Sequence, residues 1–192
     1  MKKSFTKEYI LENKGCYSRD QVLALPFGKT GKITIAGLFK ALPIKDFSWF
    51  LVRKCELTLT EKRLFALHCA KQVLPIFENK CPNDSRVRDC IDATERCLNG
   101  NETLENLKVF IDVAADAAYY AAAYAADVGA ADGYAAAYAA YYVAVVVVPS
   151  AAAGDAYVAD VGAAAGYAAD AAAAAYADDA YRVSILNFVK SL

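Results

Sequence analysis

The chain is poor in the residues that announce chemistry. Its 192 residues include one histidine, His68, and no pair of cysteines at CxxC spacing. Tetrahedral zinc sites draw on paired Cys and His ligands, so this scarcity argues against a metal centre, and no cofactor is expected. The opening Met1-Lys2-Lys3-Ser4-Phe5-Thr6-Lys7-Glu8 is charged and leads into no continuous apolar stretch, so no secretion signal is read there. A cytoplasmic protein is expected, with its six cysteines (Cys16, Cys55, Cys69, Cys81, Cys90 and Cys97) held as reduced thiols rather than disulfides. Net charge is scarce too: −1 at pH 7, with a pI near 5.9. Bulk attraction to phosphate therefore cannot drive binding, and no nucleic-acid partner is expected. Regularly spaced threonines are missing from the alanine-rich region, which speaks against an ice-binding face.

Gly28-Lys29-Thr30-Gly31-Lys32 invites comparison with a phosphate-binding loop. That motif needs a glycine five positions before Gly28, and Leu23 stands there. The segment reads instead as a turn followed by a short extended piece through Lys32-Ile33-Thr34-Ile35. No nucleophile and base can be assembled from spacing, since His68 would have to recruit a cysteine by folding. Adjacent acids such as Asp178-Asp179 point about 100° apart on a helix and are solvated. The protein is read as a non-enzyme, with no catalytic residue.

What the chain does contain divides it into two unlike halves. Residues 1–108 hold 19 of the 21 Lys and Arg and 13 of the 22 acids, a balance of +6. Residues 109–192 hold two bases, Arg182 and Lys190, against nine aspartates, a balance of −7. Alanine occupies 34 of those 84 positions, and 11 of the 13 tyrosines lie among them. A basic half joined to an acidic one is expected to pack against itself.

The helical signals are clearest from Thr58. Thr58-Leu59-Thr60-Glu61 has the form of a capping box, followed by Leu64, Leu67, Ala70/Lys71 and Leu74 at helical spacing, with Pro75 as a kink. Pro82-Asn83-Asp84 opens a second helix through Val87, Ile91, Thr94 and Leu98 that stops at Asn99-Gly100. Thr103 opens a third, carrying Leu104, Leu107, Phe110 and Ile111. Upstream, Phe5–Asn13 fits a short helix, and Asp46–Leu51 an aromatic-rich one that anchors the N-terminal arm on the main body.

The alanine-rich half carries an internal repeat. Asp127-Val128-Gly129-Ala130-Ala131 recurs as Asp160-Val161-Gly162-Ala163-Ala164, 33 residues later, and each copy runs on to a second glycine and a tyrosine. Glycines four apart suit helix corners, so two helical hairpins are expected with corners near Gly129–Gly133 and Gly162–Gly166. Asp112, Asp116 and Asp127 fall within about 60° of one another at helical spacing, with an alanine face opposite. Between Asp132 and Asp155 the chain is uncharged, and Tyr134–Val148 approaches the length that crosses a bilayer. Pro149-Ser150 interrupts it and no basic flank marks a cytoplasmic side, so a buried helix is expected and a membrane partner is not. A membrane-associated helical protein inserting Tyr134–Val148 is the alternative.

The expected fold is all-α: an array of antiparallel helices over residues 56–192, low in complexity from about residue 112, with a short irregular N-terminal arm over residues 1–55. The densest polar constellation is Pro82-Asn83-Asp84-Ser85-Arg86-Val87-Arg88-Asp89. Its plain reading is a helix start, with Asn83 or Asp84 as cap and the arginines paired to carboxylates of the Asp-rich half. Its functional reading is a binding surface formed by Arg86, Arg88 and Asp84.

Around this cluster the sequence resembles a family of bacterial and phage immunity-like proteins. The resemblance rests on Cys69-Ala70, Val73-Leu74-Pro75-Ile76-Phe77-Glu78, Pro82-Asn83-Asp84-Ser85-Arg86-Val87-Arg88, Ile91-Asp92-Ala93 and Asn99-Gly100. It covers roughly residues 60–128, and the tail beyond only by composition. The family's pattern is a helix ending in an acid, a Pro-x-Asp-x-Arg-x-Arg turn, a second helix, then a long alanine-rich helical tail. Here Val87 takes the place of a common proline, and Tyr and Asp replace the His and Arg usual in the tail. The resemblance implies a protein partner of unknown identity and brings no reaction with it.

Overall fold

The computed structural model describes residues 3–13, 17–103, 105–110, 112, 113, 116 and 178–191. The hairpins expected at Gly129–Gly133 and Gly162–Gly166, Asp127 and the Tyr134–Val148 run all lie outside those residues. Among the described residues no helix is long and apolar enough to cross a membrane.

The first 55 residues are not the irregular arm that the sequence suggested. They hold a two-stranded antiparallel ribbon and four helices. Strand β1 (Ser4–Thr6) pairs with β2 (Lys32–Thr34) in the register Ser4↔Thr34, Phe5↔Ile33, Thr6↔Lys32. The central residue of each strand faces inward, leaving Phe5 and Ile33 buried, as the two-residue period of a strand requires. Each strand ends on the cap of the next helix. Thr6 Oγ1 accepts from the Tyr9 amide at 3.2 Å to open α1 (Lys7–Glu12), and Thr34 Oγ1 accepts from the Gly37 amide at 3.1 Å to open α3 (Ile35–Ala41). Between them α2 (Arg19–Leu23) starts with a capping box formed by Ser18 and Gln21. Gly28 and Gly31 form the turn before β2, with Gly31 at φ 69°, a backbone state that suits glycine.

Helix α4 (Ile44–Lys54) follows Pro43 and buries Phe47, Phe50, Leu51 and Val52. Phe5 meets Phe50 edge-on at 5.1 Å, and Phe39 meets Phe47 in the same way. Burying one such ring contributes roughly 1.5–3 kcal/mol, so these contacts tie ribbon, α3 and α4 together.

The long helix α5 (Leu59–Lys80) opens on the Thr58–Glu61 capping box, with the Thr58 amide donating to Glu61 at 2.7 Å and the Glu61 amide to Thr58 at 3.2 Å. It runs through Pro75 without ending there. Its buried face is centred on Phe65, Cys69, Val73 and Phe77, four residues apart, with Leu67, Ala70 and Leu74 beside them. Leu64, placed on the apolar stripe by spacing, is 40% exposed instead. The larger aromatic next to it takes the core.

Helix α6 (Arg86–Leu98) packs on α5 through Val87 and Ile91 and stops at Asn99, with Gly100 at φ 74°. Its buried Thr94 hydroxyl donates back to the Cys90 carbonyl at 2.7 Å, so that polar group is satisfied. Thr103 accepts from the Asn106 amide at 3.2 Å and opens α7, described over residues 105–110. Leu107 of α7 closes a small second cluster with Cys90 and Ala93. Asp112 and Asp116 are exposed. Finally α8 (Asp178–Ser191) lays Tyr181, Ile185 and Val189 into the main core against α5. The described part of the molecule is thus mostly helical, with one small ribbon at its N-terminus.

Candidate functional site

The corner between α5 and α6 carries the residues singled out from sequence. Helix α5 ends as the Cys81 amide donates to the Phe77 carbonyl at 2.8 Å, and the Asp84 amide then donates to the Cys81 carbonyl at 3.0 Å. This closes the Pro82-Asn83 turn and brings Asp84 to the start of α6. There Oδ1 accepts from the Arg86 amide at 3.1 Å and from Arg86 Nε at 2.8 Å, while Oδ2 accepts from Nη2 at 2.5 Å. One carboxylate therefore satisfies a helix-start amide and both prongs of a guanidinium. Arg86 in turn holds the Asp84 carboxyl below its ordinary value, chiefly through the side-chain hydrogen bond.

The residue at the cap position is Ser85, not Asn83 or Asp84 as expected. Its hydroxyl makes no capping bond and donates to Asp89 Oδ2 at 2.8 Å instead. Arg88 lies one turn along, where Nε donates to Glu78 Oε1 at 2.6 Å across the corner, and Nη2 pairs with the same oxygen. Most of the Asp-rich half expected to pair with these arginines lies outside the described residues. The described partners, Asp84 and Glu78, both belong to the first half of the chain. Spacing along α5 and the turn could have found Glu78, since it closes the apolar run just before Pro82.

Glu78, Pro82, Asn83, Asp84, Ser85 and Arg88 line an open cleft of about 390 Å³. Arg88 is the accessible cation, with 52% of its side chain exposed, against 33% for Arg86. The structure thus separates residues that the sequence had grouped. Asp84 and Arg88 face the cleft, whereas the described contacts of Arg86 fix the start of α6. Opposed fixed charges at the mouth of a cleft can recognise a partner's ionic groups.

Sequence reasoning missed a second polar contact. Ser184 Oγ on α8 lies 2.9 Å from His68 Nε2 on α5. Residues 116 positions apart leave no local signal, although Tyr181, Ile185 and Val189 recur every fourth residue and could have revealed a docked helix. Two cysteines of these helices, Cys69 on α5 and Cys90 on α6, are buried and poor nucleophiles. Burial pushes the Cys69 thiol, which faces Tyr181, up to about 12, and does the same to Cys90. Among the described residues no three His, Cys, Asp or Glu side chains gather as a metal site would require. No protein-family model, curated protein or solved structure matches this chain.

Proposed function

We propose that the protein is a non-enzymatic, cytoplasmic protein-binding module of the immunity-like kind, acting by masking a partner through the cleft at the α5–α6 corner. The observation that supports this reading is the half-exposed Arg88 guanidinium, held in place by Glu78 at the mouth of that cleft. A guanidinium ordered before binding loses less side-chain freedom on contact, and arginine is enriched among the residues that dominate interfaces. The small net charge and the mixed charges of the corner favour a folded protein partner over a polyanion. The resemblance around Pro82–Arg88 points in the same direction.

The test compares wild type, Arg88→Ala and Arg86→Ala in affinity capture from host lysate, followed by binding measurements on the captured partner. Arg88→Ala is expected to weaken the complex by about 2 kcal/mol, roughly thirtyfold in Kd, while leaving the fold intact. Arg86→Ala is expected to lower stability instead. Undiminished partner binding by folded Arg88→Ala would reject the cleft as the contact surface.

A further inference from the structure

Helix α4 contributes nothing to the lining of the α5–α6 cleft. It buries Ile44, Phe47, Ser48, Phe50, Leu51 and Val52 in the core. Its opposite face carries Lys45, Trp49 and Arg53, spaced four apart and so within about 80° of one another around the helix. Lys45 and Arg53 are exposed, whereas Trp49 is partly buried and packs against the main cluster. The only tryptophan of the sequence is thus anchored by the core along part of its ring and reaches solvent with the rest. Lys54 Nζ, from the last turn, lies 5.9 Å from the ring centroid.

This face is cationic. The single acid of α4, Asp46, accepts the Tyr17 hydroxyl at 2.5 Å and sets one negative charge against Lys45, Arg53 and Lys54. Among the described residues neither Arg53 nor Lys54 has an ion-pair partner. The helix dipole accounts for cations in the last turn, where Arg53 and Lys54 stand, but Lys45 lies in the first turn, where a cation opposes it. The chain leading into α4 has the same sign. Residues 21–45 hold Lys29, Lys32, Lys40 and Lys45 and no acid, and Lys40 is exposed in the last turn of α3, which packs on α4.

We propose that the Lys45–Trp49–Arg53 face of α4 is a second docking surface, separate from the cleft, and that its partner is an acidic protein surface. Carboxylates of the partner meet the cations of the face, and an apolar group packs on Trp49. Complementary charge selects the partner and guides its approach, while tryptophan and arginine are the side chains that most often dominate protein interfaces. An anionic bilayer fits less well. The aliphatic side chains of α4 are buried in the core, so one ring alone would be left to insert. Nucleic acid fits less well too, because a single ring makes no run of stacking platforms and a net charge of −1 gives little attraction to phosphate.

The lone tryptophan reports on its own surface. The full chain is titrated with poly-L-glutamate as an acidic polypeptide probe, and Trp49 emission is followed at about 50 mM and about 300 mM salt. The expected result is a saturable change in emission at the lower salt that weakens at the higher. Lys45→Gln/Arg53→Gln should weaken binding about tenfold. Lys29→Gln/Lys32→Gln removes the same charge from the turn before β2 and should bind as wild type does. All four positions are exposed, and circular dichroism checks that both variants keep the fold. No saturable change with wild type, or equal weakening by the two double variants, would overturn the proposal. So would a response to phosphatidylserine vesicles or duplex DNA without one to poly-L-glutamate, since the partner would then be a lipid surface or a nucleic acid.

Discussion

Arg182 reaches across 143 positions of sequence to Phe39: Nη2 donates to the Phe39 carbonyl at 2.8 Å and the guanidinium lies 4.9 Å over the Phe39 ring. The contact joins α8 to α3, whereas Ser184, two positions further along α8, meets His68 of α5. A charge-assisted bond and a cation–π contact on one side chain predict that Arg182→Ala lowers stability by about 1–2 kcal/mol. Arg182→Lys should recover only part of this, because an ammonium lacks the planar fork that serves carbonyl and ring together. Urea denaturation midpoints at constant slope would measure both.

Asp84 should make stability depend on acid. Its carboxyl is held below the ordinary carboxylate value of 3.8 by the bidentate Arg86 contact. The stabilisation is therefore complete above that value and is lost as pH falls through the lowered one. The pair is partly exposed, so its worth is under about 1 kcal/mol. Asp84→Asn should lose this amount at neutral pH and show a flatter stability curve below about pH 4. A variant whose acid limb superimposes on wild type would show that the ion pair contributes nothing in solution.

The features that sequence revealed here are those settled within a turn or two of chain. Thr58 and Glu61 satisfy each other's backbone, so their spacing alone defines the start of α5. Asn99-Gly100 ends α6 for an equally local reason. The extended piece after Gly31 was legible and is β2, but its partner β1 was hidden, because three residues show no period and the central pair, Phe5 and Ile33, lies 28 positions apart. Leu64 was misplaced because Phe65, one residue away, gains more by burial and sets the rotation of α5. At the candidate site, Asp84, Arg86 and Arg88 were legible as a polar cluster around a helix start. Which arginine faces the cleft was not, because that depends on Glu78 crossing from another helix.

Thiol reactivity should follow burial. Cys55, Cys69 and Cys90 are buried, and burial raises Cys69 and Cys90 to about 12. Cys81 and Cys97 are only partly buried, and their thiols are raised by less. In the native protein a maleimide should label Cys81 and Cys97 well before the three buried thiols, which should react only after denaturant is added. Mass spectrometry of a labelling time course would show the order. Early modification of Cys69 or Cys90 would mean that α5 and α6 part readily.

Ser48 is the position where a single substitution should improve the fold. It lies in α4 between Phe47 and Trp49, is fully buried, and among the described residues its hydroxyl alone is a buried side-chain group without a hydrogen-bond partner. An unsatisfied buried hydroxyl costs about 1–3 kcal/mol, and alanine is also the better helix former by about 0.5 kcal/mol. Removing one oxygen leaves too small a void to cancel both effects. Ser48→Ala should therefore raise stability by about 1 kcal/mol or more, read as a higher urea midpoint and a melting temperature several degrees above wild type. A lower midpoint would show that the hydroxyl is bonded in solution, and that the bond matters more to α4 than the propensity of its helix.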